Sequence, residues 1–232
     1  MQLTSLTRLL AVGLTGLLHP LCFPDFDLGW LAWGLLVPLH WALTDLTPAK
    51  AFRYGWLAGA IAFVGTIPWV ITAMNQYGQV PYVVSVLLML LLATYLGLFW
   101  GAYSWGYVTV QHQFPGWVWL GAPSLWVSLE YLRTYALSGF PWTLLGYSQY
   151  QWLPVIQISD MAGVYGVSFI LVMGNVILTS ILWWMWQMWC RKEGGMVSFP
   201  WRPASTFLMI LIASLAYGHW QINQQAMLDQ SA

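Results

Sequence analysis

From Tyr54 to Leu129 the chain contains no Asp, Glu, Lys or Arg. A run of that length without charge cannot furnish a water-facing surface, since soluble domains carry roughly 25% charged residues. The rest of the 232 residues does not restore the balance: 59% are hydrophobic and 6% charged. Most of the outer face must therefore meet lipid. The 18 Trp and 12 Tyr suit membrane interfaces, where an apolar ring with a polar tip is at home. Seven basic and seven acidic residues cancel, which argues against a nucleic-acid partner.

Pro, Gly and polar clusters divide the apolar sequence into candidate helices, each judged against the ~20 residues needed to cross the hydrocarbon. They run from Leu6 to Leu21, Leu28 to Leu43, Phe52 to Met74, Tyr82 to Val110, Trp117 to Leu137, Val164 to Trp189 and Ala204 to Gln221. The expected fold is an all-α polytopic membrane protein with about seven transmembrane helices. The first two candidates are short and separated by "FPDFD", as in a tilted hairpin that crosses only partly, while the fourth and sixth must tilt or extend beyond the bilayer. The first run lacks a small-residue cleavage site before Cys22, so it reads as a retained span rather than a signal peptide.

Lys and Arg are retained on the cytoplasmic side. With the N-terminus inside, Arg8, Lys50, Arg53, Arg191, Lys192 and Arg202 all fall inside, and Asp25 and Asp27 fall outside. Arg133 is the exception. Residues 1–221 then form a transmembrane domain, and the polar tail 222–232 emerges outside.

Arg133 belongs to "EYLRTYALSGFPWTLLGYSQ", residues 130–149. A charge at a helix centre in lipid costs ~2.5 to 3.5 kcal/mol, so Glu130 and Arg133 should face the bundle interior, where their i,i+3 spacing allows pairing. Two roles are open to them: a fixed pair that locks helices, or contact with a polar headgroup. The following segment, Ser138 to Pro154, is too apolar for a free loop and too broken for a span. Gly139, Pro141 and Gly146 interrupt helix, and irregular backbone at membrane depth is tolerated only in protein or beside a wet cavity. A re-entrant or interfacial element on the outer side is expected, with Trp142, Tyr147 and Gln149 offering polar tips. An aromatic interface anchor is the plainer alternative. Asn175, within the sixth candidate, needs a polar partner, either in packing or in a cavity.

Cys22 and Cys190 form no CxxC motif and read as packing residues. The histidines His19, His40, His112 and His219 lack metal-ligand spacing and are expected at interfaces. No Ser-His-Asp set, phosphate loop or HExxH motif is present, and no cofactor or metal is implied.

Glu130-x-x-Arg133, then Gly139-Phe140-Pro141-Trp142, then Gly146-Tyr147-Ser148-Gln149, and "GVYGVSFILVMGN" ending at Asn175 together resemble the membrane portion of apolipoprotein N-acyltransferases. The resemblance implies a bacterial inner-membrane enzyme that moves an acyl chain from a phospholipid to the amino group of a diacylglyceryl-cysteine. In that family a nitrilase-like domain inserted after the seventh span does the chemistry, with a Glu base, a Lys oxyanion stabiliser and a Cys that forms a thioester. The sequence ends about where that domain would begin, so no catalytic residue carries over, and the domain would be supplied in cis or in trans. The motif positions Glu130, Arg133, Phe140, Pro141, Trp142, Gly146, Tyr147 and Gln149 do carry over, beside the path by which phospholipid and diacylated apolipoprotein would enter. A non-enzymatic scaffold or lipid-binding module is the alternative. A small transporter is a weaker one, lacking any internal repeat to support it.

Overall fold

The computed structural model describes residues 3–190 and 198–231. Helix α1, Ser5–Leu21, starts where the Thr4 hydroxyl accepts the Thr7 N–H at 3.2 Å, satisfying one of the free donors at a helix start. The chain then turns through Asp25 (φ 87°) and Asp27 (φ 57°). Short polar side chains tolerate this left-handed region. The expected continuous helix from Leu28 to Leu43 is replaced by a 3-10 turn, Gly29–Trp33, and the short α2, Val37–Ala42. Pro38 lacks the N–H that would reach back to Gly34, so no regular helix can join the two pieces. Side chains from elsewhere take up the freed backbone groups.

The third candidate is broken. Helix α3, Pro48–Thr66, and α4, Trp69–Thr72, which runs on into a π-type turn Ala73–Tyr77, form a pair bent by 54°. Pro68 disfavours α geometry at the residue before it, and Ile67 accordingly leaves the helix at φ −113°, ψ 24°. Helix α5, Tyr82–Gln113, is unbroken over 32 residues, about 48 Å at the α-helical rise. It lies against α3 along Gly55, Gly59, Gly97 and Gly101. A Cβ added at Gly97 would sit 2.8 Å from the Ala60 backbone nitrogen, so these two helices touch almost backbone to backbone.

Helix α6, Val118–Tyr135, leads into an irregular loop containing the 3-10 turn Leu145–Gln149 and the short α7, Leu153–Ile156. Helix α8, Ser159–Cys190, is interrupted at Gly163 (φ 61°, ψ −170°) and is regular from Val164, the expected start. Helix α9, Trp201–Ser231, continues without a break through the polar tail.

The fold is all-α. Among the described residues, Tyr82–Gln113, Ser159–Cys190 and Trp201–Gln225 are long and apolar enough to cross a membrane, and the bent α3–α4 pair is a fourth such unit if taken as one span. Leu6, Leu10, Leu17, Leu87 and Leu91 are each 60% exposed or more. Leucines exposed to this degree on α1 and α5 belong in hydrocarbon.

The elements define two ends. The Arg8 guanidinium donates to the carbonyls of Ala42 and Thr44, bringing the start of α1 beside the end of α2 and the start of α3. At the opposite end, His19 Nδ1 lies 2.9 Å from Thr66 Oγ1, and the Tyr217 hydroxyl donates to Asp160 at 3.2 Å. Arg8, Lys50, Arg53 and Arg202 thus lie at the first end, and Glu130 and Arg133, in the last turns of α6, at the second. Arg191 and Lys192 lie outside the described residues.

Candidate functional site

Glu130 and Arg133 are each 4% exposed and face the bundle interior, as their cost in lipid requires. Their expected contact ion pair is not formed. The Glu130 carboxylate instead turns to the loop that follows its own helix, where Oε1 accepts the backbone N–H of Leu145 at 2.7 Å. The Arg133 guanidinium lies 5.0 Å over the ring of Phe63 on α3 and reaches the Thr143 carbonyl at 3.4 Å. The two side chains therefore hold two points of one loop, residues 139–149, against two helices, α6 and α3. A carboxylate on a backbone amide and a guanidinium on an aromatic face both retain favourable electrostatics where water is scarce.

Three polar atoms here have no hydrogen-bond partner among the described residues: Glu130 Oε2, Arg133 Nη1 and Trp126 Nε1. Their residues line one small cavity together with His19, Trp100 and Thr143. It has about 20 Å³ of room for a water-sized occupant, the scale of a single molecule.

Glycine is required at both ends of the loop. Gly139 has φ 83°, and a Cβ there would meet the Thr134 carbonyl oxygen at 2.0 Å. Gly146 lies against α8, its N–H donating to Ser168 Oγ at 2.9 Å, and a Cβ there would fall 2.5 Å from the Val164 carbonyl oxygen. Phe140 is buried edge-on to Phe63 at 6.5 Å, with Trp142 5.2 Å away. Pro141, Trp142 and Tyr147 form the exposed face, Trp142 resting against Trp69 at 5.7 Å.

Gln149 and Asn175 are fully buried structural clamps. Gln149 Nε2 donates to the Gly29 carbonyl at 2.7 Å, and its Oε1 accepts from Trp33 Nε1 at 3.1 Å. Asn175 Oδ1 accepts the Leu36 N–H at 2.7 Å, while Nδ2 donates to the carbonyls of Ala32 and Leu171, each at 2.8 Å. Both side chains satisfy the irregular backbone between Gly29 and α2. Asn175 is thus a packing hydrogen-bonder rather than part of the charged site.

Two histidines depart from expectation. His19 and His40 are interior, each 2% exposed, and His40 bridges Thr179 and Tyr103 while stacked on Tyr107 at 4.3 Å. His112 and His219 are exposed. Cys22 is buried and Cys190 exposed, and both are free. Among the described residues no cluster of His, Cys, Asp and Glu could hold a metal ion. The arrangement offers no nucleophile beside a base. It offers a rigid, partly irregular membrane surface held by buried charge.

Phe63, Thr143, the Leu145 amide and Trp33 complete the site, and sequence reasoning missed them.

Such a site on such a fold defines a membrane module that orders a broken segment at one end of its helices. The family model for the apolipoprotein N-acyltransferase N-terminal domain matches residues 15–177. Curated apolipoprotein N-acyltransferases are similar over most of the chain. That of Geobacter metallireducens is 36% identical over 206 residues, covering 88% of this chain and 38% of the relative. That of Haemophilus ducreyi is 34% identical over 172 residues, 72% of this chain and 32% of the relative. That of Chromobacterium violaceum is 30% identical over 177 residues, 76% and 34% respectively. The chain belongs to the apolipoprotein N-acyltransferase family, as its N-terminal membrane domain. It spans less than two fifths of the length of these relatives.

Proposed function

We propose that this chain is the membrane module of an enzyme that transfers an acyl chain from a phospholipid to the N-terminal diacylglyceryl-cysteine of bacterial lipoproteins. The carrying observation is that the family match, residues 15–177, encloses Glu130, Arg133, the loop they hold and Asn175. The module sits in the inner membrane with its N-terminus cytoplasmic. The end bearing Arg8, Lys50, Arg53 and Arg202 faces inward, in keeping with the retention of basic residues on that side. The loop and the C-terminal end of α9 then face outward.

The chemistry lies in a nitrilase-like domain, joined in cis or in trans, whose cysteine thiolate attacks the donor ester, expelling the lysophospholipid, and whose thioester is then cleaved by the lipoprotein amine, which takes the acyl group and frees the thiol. Glu130 and Arg133 are positioning residues. They fix the loop whose exposed Pro141, Trp142 and Tyr147 border the route taken by both lipid substrates. An amphipathic aromatic rim suits molecules with two acyl chains and a polar head.

The test is turnover of a phospholipid donor and a diacylated peptide in detergent. The 232-residue chain by itself should be inactive, and activity should appear when the nitrilase-like domain is supplied. Turnover by the chain alone would overturn the division of labour. In the complete enzyme, Arg133→Ala and Glu130→Ala should each lower activity, whereas Arg191→Ala should do little. Equal tolerance at the three positions would remove the special role of the loop-holding residues.

A further inference from the structure

At the end of the bundle opposite the loop, the starts of α1 and α3 enclose an open groove of about 530 Å³. Its walls combine three basic residues, Arg8, Lys50 and Arg53, with three leucines, Leu9, Leu46 and Leu57, and with Ser5 and Tyr54. We propose that this groove binds the phosphodiester headgroup of an anionic glycerophospholipid from the leaflet at that end.

Charge comes first. Three cations line the groove with no acidic residue among its walls. Among the described residues neither Lys50 nor Arg53 has an ion-pair partner. Arg8 differs from an ordinary surface arginine in being 7% exposed. Its Nη1 is held by the carbonyls of Ala42 and Thr44. That clamp neutralises no charge but fixes the guanidinium in place as part of the groove wall. Two helix N-termini add to the positive field, because α1 and α3 both begin here, and the Thr47 side chain makes no capping bond to α3. The free amides at the start of α3 thus add partial positive charge at this end of the bundle.

The apolar wall decides between a lipid and a free anion. Inorganic phosphate would gain nothing from Leu9, Leu46 and Leu57, whereas an acyl chain running along them would bury surface that otherwise faces the groove. Basic pockets between helices at a membrane face are suited to anionic headgroups, with each Lys or Arg contributing near the surface. Orientation by basic residues needs only charge in the connecting loops. It does not require a clamped guanidinium, an uncapped helix start and a leucine wall around one space.

The purified protein in neutral detergent is titrated with dioleoyl phosphatidylglycerol, with dioleoyl phosphatidylcholine and with inorganic phosphate. Thermal unfolding and native mass spectrometry provide the readouts. Phosphatidylglycerol should raise the unfolding midpoint and be retained on the protein, and the other two should do neither. Lys50→Gln together with Arg53→Gln should weaken the apparent affinity roughly 10- to 30-fold, from ~1 kcal/mol per basic residue, leaving the lipid-free midpoint in place. Leu57→Trp, which fills the apolar side and keeps every charge, should also abolish retention, and this holds even if the double variant fails to fold. Equal binding of phosphatidylcholine, an equal effect of phosphate alone, or unchanged retention by either variant would overturn the proposal.

Discussion

Replacing Glu130 by Ala removes the acceptor of the Leu145 N–H, a 2.7 Å bond in a buried site. It also leaves the Arg133 guanidinium without the neighbouring carboxylate. An unsatisfied buried donor costs about 1–3 kcal/mol. Glu130 and Arg133 make no contact but attract one another through space, and leaving one of two such buried charges uncompensated costs up to about 3–5 kcal/mol. These losses share the same atoms and do not add, so about 3–5 kcal/mol is the expected total. For a chain of this size that corresponds to a fall of roughly 6–20 °C in the unfolding midpoint, read from tryptophan fluorescence in detergent. Two further variants separate the contributions. Glu130→Gln keeps an oxygen for Leu145 and should preserve slow hydrogen exchange at that amide, while losing the part due to charge. Glu130→Leu with Arg133→Met removes both charges from the interior and should recover most of the loss, leaving about 1–3 kcal/mol for the orphaned Leu145 N–H. A single Glu130→Ala variant that unfolds within about 2 °C of the parent, under one kcal/mol on the same scale, would refute the reasoning. A double variant no more stable than the single would do the same.

Asn175→Ala leaves the Leu36 N–H and the Ala32 carbonyl buried without their partner, so a loss of about 2–4 kcal/mol in detergent unfolding is expected. Gly97→Ala should cost about 1–3 kcal/mol, because its Cβ would press on the Ala60 backbone and core overpacking carries that penalty. Gly13→Ala, with nothing within 4 Å, should be neutral or slightly stabilising by the same assay. The Tyr150 phenol donates to Asp27 in the loop after α1, and this bond, favouring the neutral phenol, holds its pKa above the ordinary tyrosine range. Since the folded-state value is raised, the bond's contribution is complete below the unfolded tyrosine pKa and disappears as pH rises through the folded one. In alkaline titration of tyrosinate absorbance, Tyr150→Phe should remove one of the late-ionising tyrosines and leave the others in place.

The membrane character of the chain was legible in the charge-free run from Tyr54 to Leu129, as were the start of the regular part of α8 and the interior placement of Glu130 and Arg133. The bend at Pro68 was less so, because its effect depends on how Ile67 resolves its backbone conflict. What stayed hidden has a common physical origin. The partner of Glu130 is a backbone amide, and the partner of Arg133 is the face of a phenylalanine on another helix. Neither carries a signature that spacing can reveal, so i,i+3 geometry pointed to the wrong partner. The stretch from Leu28 to Leu43 reads as apolar helix by composition. Its local backbone is overridden by Asn175 and Gln149, which offer it hydrogen bonds from far along the chain. His19 and His40 likewise found hydroxyl partners inside the bundle, where an isolated histidine would have sought the interface.

The Asn175 clamp also has a consequence for biogenesis. Its oxygen satisfies the Leu36 N–H across a separation of 139 residues. At ribosomal speed that interval is roughly 7–28 s. Throughout it the newly made Gly29–Leu36 segment has left the exit tunnel with backbone groups that lipid cannot satisfy. The segment must therefore wait beside water or within the insertion machinery until α8 emerges, so an early-made part of this domain is among the last to settle.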